Sequence, residues 1–172
     1  KKNSVDTFQP RSFNMGISKK AFEATNGFGN IHPGEDPDLS IRLTKLGFKT
    51  KLIETAYVYH KRRISWSKFY KQVNKFGLVR PILNVWHPET KKITYWFPSI
   101  FILGLDLSIL LLIFGIYIPI LLYGLYFSLI ALDASFRNNF NPIVGLLSII
   151  TSLTQFLGYG LGFLEATFFR KK

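Results

Sequence analysis

The acidic residues Glu35, Asp36 and Asp38 fall within Gly34-Glu35-Asp36-Pro37-Asp38-Leu39-Ser40-Ile41-Arg42-Leu43, a segment whose residue types specify a helix. Asp36 suits an N-cap, Pro37 the first helical position and Gly47 the C-terminal stop. Leu39, Leu43 and Leu46 recur at i, i+4 and i+7, so one apolar stripe is buried and Arg42 and Lys45 turn away from it. A carboxylate at such a helix start is held ionised by the positive end of the helix dipole and by nearby N–H groups. Glu35 or Asp36 there has the chemistry to take a proton from a hydroxyl. The structural alternative is that Asp36 is only the cap, with Glu35 and Asp38 as ordinary first-turn acids.

A second candidate cluster is His60-Lys61-Arg62-Arg63, which follows the strand-like Tyr57-Val58-Tyr59. Neutral imidazole is a common metal ligand, and adjacent cations such as Arg63 suit a diphosphate. A lone histidine is more often structural. The chain has no cysteine, which excludes disulfides and thiolate metal sites. No nucleic-acid-binding motif accompanies the basic residues, so nucleic acid is not expected as a partner.

Residues 12 to 16 look extended, Ser18 caps a short helix ending at Gly27, and Asn26-Gly27-Phe28-Gly29-Asn30 forms a turn before the acidic helix. Phe48 to Ile53 and Ala56 to His60 alternate as strands do. Ser65 caps a helix over about 65–79, in which Trp66, Phe69, Tyr70, Val73 and Phe76 oppose Lys68 and Lys71, a composition suited to the membrane interface.

Beyond that helix the composition changes. Residues 1–95 carry 18 of the 22 Lys and Arg and 7 of the 10 Asp and Glu, a net charge of +11, and the remainder nets +1. Trp96 to Leu132 is a 37-residue apolar run interrupted only by Asp106, and the 23 residues Pro142 to Leu164 contain no charge. Both exceed the roughly 20 residues that cross a bilayer. The first run would be about 55 Å long as one helix, so it is expected to fold as two spans bent near Gly115 and Pro119. One tilted span with a re-entrant piece is the alternative, so residues 96–132 and 142–165 hold two or three spans. Gly158 and Gly162 have the GxxxG spacing of close helix contact. The basic residues before the first span put residues 1–95 on the cytoplasmic side of a membrane. Lys1-Lys2-Asn3 leads into polar sequence, and no apolar run of a secretory signal is visible there.

Asn14-Met15, Gly27-Phe28, Gly34-Glu35-Asp36-x-Asp38-Leu39-x-x-Arg42, Val58-x-His60 and Gln72-x-x-Lys75-Phe76-Gly77 occur in one order. Together they resemble the C-terminal half of a membrane-anchored bacterial family 2 glycosyltransferase. The resemblance covers about residues 10 to 80. It implies an α/β fold, the acceptor-side part of a Rossmann-like GT-A domain over 1–95, followed by a helical transmembrane region over 96–172. It further implies an inverting transfer of a sugar from a nucleotide-sugar donor to a hydroxyl acceptor, with Asp36 as general base and Glu35 orienting acceptor or base. By the same resemblance His60 binds Mg²⁺ or Mn²⁺ or the donor diphosphate, and Gly27, Phe28, Gln72, Lys75 and Arg63 lie on the substrate side. Lys75 and Phe76 stand where processive relatives carry Arg and Trp, which weakens bidentate contact and stacking.

The nucleotide-binding strands and Asp-x-Asp motif of such enzymes are not among these residues, so the chain reads as a fragment inactive by itself. A lipid-linked or glycan acceptor in envelope polysaccharide or glycolipid synthesis, at the bacterial cytoplasmic membrane, is expected by analogy. The competing expectation is a non-enzymatic membrane protein whose basic segment binds anionic membrane lipid or a partner.

Overall fold

The computed structural model describes residues 10–59 and 65–169. Six α-helices account for most of them: α1 (Lys19–Ala24), α2 (Glu35–Lys45), α3 (Trp66–Trp86), α4 (Phe97–Leu111), α5 (Ile118–Arg137) and α6 (Pro142–Phe168). No strand occurs among the described residues, which overturns the expected α/β, Rossmann-like fold. Phe48 to Ile53 and Ala56 to Tyr59 do alternate, but a strand exists only in a ladder. These segments have no neighbouring strand among the described residues; Ala56 N–H makes a turn bond to Ile53 O, Phe48 N–H bonds back to Leu43 O, and Asn14 Nδ2 donates to Ala56 O (3.1 Å).

Helix ends follow local chemistry. Ser18 caps α1 by accepting from Ala21 N–H (3.2 Å), and Asn26 rather than Gly27 takes the first left-handed position beyond its end. Residues 12–14 form one 3₁₀ turn instead of extended chain. The start of α2 is shifted from expectation: Gly34, at φ 128°, is the N-cap, and Asp36 lies inside the first turn. Its end is as expected. Gly47 at φ 80° bonds to Thr44 O and Phe48 N–H to Leu43 O, the paired bonds of a Schellman stop. Leu39 and Leu43 are buried with Ala21, whereas Leu46 is exposed.

Ser65 caps α3, and the helix runs past the expected boundary to Trp86, carrying Pro81 within it. The long apolar run does break into two helices. Gly115, left-handed at φ 74°, closes the first, and Pro119 sits in the first turn of α5. Asn141 then caps α6, its side chain accepting from Ile143 and Val144 N–H (3.0 and 3.4 Å). Three helical stretches, Ile93–Phe114, Ile118–Arg137 and Pro142–Phe168, are long and apolar enough to cross a membrane.

Helix α6 is the spine, and its glycines face three different neighbours. Gly145 lies against Ala131 O of α5, Gly160 against Pro98 O of α4, and Gly158 and Gly162 against Tyr70 and Asn74 of α3. Gly77 of α3 in turn lies against Tyr159 O. The GxxxG pair thus makes its close contact with α3, which carries Lys68, Lys71, Lys75 and Arg80, and not with another apolar span. Two hydrogen bonds tie these crossings: Asn74 Nδ2 donates to Gly158 O (3.1 Å) and buried Ser99 Oγ to Gly160 O (3.0 Å). Phe163, 2% exposed, fills the space beside them, with Trp96 edge-on at 4.9 Å.

Any side chain at position 162 would drive a methyl into the Asn74 carbonyl, whereas position 124 faces open space. Gly162→Leu is therefore expected to cost about 1–3 kcal/mol or more by overpacking. Gly124→Leu is expected to be near neutral. Thermal unfolding in detergent micelles checks the pair.

Candidate active site

The acidic helix α2 is held against the end of α3 by one buried carboxylate. Asp38 is 2% exposed. Its Oδ2 accepts from Arg42 Nε (3.0 Å) and Nη2 (2.7 Å), and its Oδ1 accepts from His87 Nε2 (2.8 Å). His87, 4% exposed, is the residue that ends α3. Its other ring nitrogen, Nδ1, lies 3.1 Å from Lys45 Nζ, and Lys45 also pairs with Glu89 (2.8 Å). This arrangement fits an imidazole with its proton on Nε2, accepting from the ammonium at Nδ1.

Arg42 does not turn outward as the leucine spacing suggests. One turn beyond Asp38, it folds back and donates to the carbonyls of Thr25 and Gly27, the latter at 2.8 Å. That fixes the turn before α2. A side chain at Gly29 would strike the Asp38 carboxylate, so the turn passes as closely as backbone can. Gly34 is likewise pressed on Val79 of α3, which buries with Ile31 and Leu83.

With Asp38 consumed, the first turn of α2 presents the other two acids differently. Glu35 Oε1 lies 3.1 Å from His32 Nδ1, and Glu35 Oε2 and Asp36 Oδ1 are shielded from solvent without a hydrogen-bond partner among the described residues. Burial acts to raise the Glu35 pKa. Its own backbone N–H, His32 and the Gly34 N–H outweigh that and hold it below the ordinary value. Asp38 behaves alike: burial acts to raise it, and the hydrogen bonds from Arg42 and His87 prevail and lower it.

Of the remaining residues expected at the site, Gly27 and Phe28 lie in this turn. The Gly27 carbonyl is spent on Arg42, and Phe28, 44% exposed, meets Phe22 edge-on at 6.1 Å. Gln72 and Lys75 are exposed on α3, roughly 10 and 6 Å along the axis from Val79, on the side toward the helix start. His60 and Arg63 lie outside the described residues. Among the described residues no three of His, Asp and Glu converge as ligands for a metal ion. The two unpartnered carboxylate oxygens are donors suited to Mg²⁺ or Mn²⁺, but two oxygens on one helical turn do not make a site. The expected metal thus does not fit these residues by themselves.

A sequence model described as glycosyl transferase family group 2 matches residues 12–157, most of the chain. The chain belongs to this family. No curated protein and no solved structure matches it. In this glycosyltransferase the matched region contains the acidic helix, the whole of α3 and the first two apolar helices.

His87, Lys45 and Glu89 are the residues that sequence reasoning missed. The Asp38–Arg42 pair carried a signal, since i and i+4 are neighbours on a helix face. His87 carried none, standing 49 positions from Asp38.

Removing the Asp38 carboxylate leaves Arg42 and His87 facing an empty buried site, so Asp38→Ala is expected to destabilise the protein by roughly 3–5 kcal/mol. Because the folded-state pKa of Asp38 is lowered from 3.8, the unfolded chain binds that proton more readily. The stabilisation is therefore complete above the unfolded value and is lost as pH falls through the folded one. Denaturation midpoints of wild type and Asp38→Ala should converge in acid below that value and stay apart at neutral pH.

Proposed function

We propose that this glycosyltransferase transfers a sugar from a nucleotide-sugar donor to a hydroxyl acceptor with inversion, using Asp36 as the base. The observation that supports this is the unequal use of the two aspartates of α2. Asp38 spends both oxygens on His87 and Arg42, while Asp36, two residues earlier at the positive end of the helix, keeps a shielded oxygen with no partner among the described residues.

In the proposed step the acceptor O–H donates to Asp36 and its oxygen attacks the anomeric carbon. The proton passes to the carboxylate, the new C–O bond forms on one face, and the bond to the nucleotide diphosphate breaks on the other, which inverts the centre. Glu35, steadied by His32, orients the acceptor or the base. Phe28, the Gly27 turn, Gln72 and Lys75 are the proposed contacts for the donor and acceptor. A base placed within hydrogen-bond reach of the attacking hydroxyl contributes about 10²–10⁴ in rate.

Integration in a membrane through the apolar helices is part of the proposal, with the start of α4 and the end of α6 on one side of it. Helix α5 buries none of its residues, and Leu121, Leu122, Leu125 and Leu129 stand exposed along it. Such a surface suits a hydrocarbon solvent and not water. The basic residues 1–95 would then face the cytoplasm. A bacterial cytoplasmic membrane, and an acceptor belonging to envelope polysaccharide or glycolipid, complete the reading.

The test is nucleotide diphosphate release by the protein in native membranes across a panel of nucleotide sugars, with Mg²⁺ or Mn²⁺ supplied. Asp36→Asn is expected to lower the rate by about 10²–10⁴ with expression and thermal stability retained. Release equal to wild type from that variant would remove Asp36 as the base.

A further inference from the structure

A cavity of about 790 Å³ opens at one end of the apolar bundle, between the end of α3, the 88–96 segment and the last turns of α6. Pro81, Val85 and Trp86 from the end of α3, Trp96, and Phe163 and Ala166 of α6 line it. Lys91 and Lys92 also line it. Both lysines are exposed, and neither pairs with an acid among the described residues. The acid nearest in sequence, Glu89, is engaged by Lys45 (2.8 Å).

The position of this cavity is as informative as its lining. It lies where the apolar stretch Ile93–Phe114 begins and where α6 ends, so those two ends share one side of a bilayer that the chain crosses an even number of times, and the cavity falls at the boundary between headgroups and acyl chains. Trp86 and Trp96 on its walls are residues that favour that level. An apolar trough lined by two exposed cations that pair with no acid among the described residues is complementary to an amphiphile with an anionic head. A neutral lipid would leave both lysines unanswered, and a soluble anion would leave the trough wet.

The geometry points to a binding site for an anionic phospholipid of the surrounding bilayer, with an acyl chain in the trough and the phosphate on Lys91 and Lys92. Because the trough is built on the helix that carries His87, a bound lipid braces the same end of α3 on which α2 is docked. The inference rests on the membrane reading given above, and the two fail separately.

The experiment uses the full chain with Trp66→Phe, so that tryptophan emission comes from Trp86 and Trp96 alone. The protein is placed in vesicles carrying brominated phosphatidylglycerol or brominated phosphatidylcholine at equal mole fraction, and quenching is titrated. Resistance to alkaline carbonate extraction scores membrane integration independently. The expected result is a preference for the anionic lipid of about five-fold or more in relative association constant, the order of one lysine–headgroup contact. It should collapse toward parity in Lys91→Gln/Lys92→Gln and persist in excess inorganic phosphate. Equal quenching by the two lipids in an integrated protein would overturn the assignment, as would a preference that survives loss of both lysines. Complete displacement by an equimolar isoprenoid phosphate would also overturn it, by giving the trough to a different lipid.

Discussion

A buried carboxylate must have its hydrogen bonds satisfied, and the rest of this structure depends on how Asp38 achieves that. One oxygen takes the His87 N–H from the end of α3, and the other takes the Arg42 guanidinium from its own helix. The first bond joins two helices distant in sequence. The second sends the remaining Arg42 donors to the carbonyls of Thr25 and Gly27. A single side chain therefore sets the docking of α2, the course of the turn before it and the direction in which Glu35 and Asp36 are presented.

That arrangement is only as firm as α3, and α3 is fixed by backbone proximity. Gly77, Gly158 and Gly162 let α3 and α6 meet with carbonyl oxygens where side chains would otherwise be, and Asn74 bridges the contact. On other faces of α6 the same device brings in α4 at Gly160 and, near the helix start, α5 at Gly145. The acidic turn and the apolar bundle are thus mechanically one unit, joined through α3. In the proposed enzyme this would keep the base at a constant height above a membrane, where an acceptor emerging from the lipid surface has to be met.

What the sequence made legible divides along physical lines. Features encoded within a few residues were readable: the Schellman stop at Gly47, the caps at Ser18 and Ser65, the break at Gly115 and Pro119, and the close contact of Gly158 and Gly162. The glycosyltransferase resemblance, resting on residues 10–80, agreed with the family match. Features that depend on distant partners were not. Alternation from Phe48 to Tyr59 signals β-propensity, but with no adjacent strand among the described residues it yields no sheet, and the α/β expectation fell with it. Asp36 suits the cap because it precedes a proline, yet Gly34 can hold the φ of 128° that starts the helix two residues earlier. Arg42 was assigned to the solvent side by helical periodicity, which knows nothing of a carboxylate needing a donor one turn away.

The measurement that most directly tests this account is a double-mutant cycle on unfolding free energy between Asp38 and His87, using Asp38→Asn and His87→Phe, with Asp36→Asn against His87→Phe as the reference pair. A buried clamp between α2 and α3 predicts a coupling of about 0.5–3 kcal/mol for the first cycle and additivity for the second. Additivity in both cycles would contradict it, because the docking of α2, and the freedom of Asp36 that follows from it, would then have another cause.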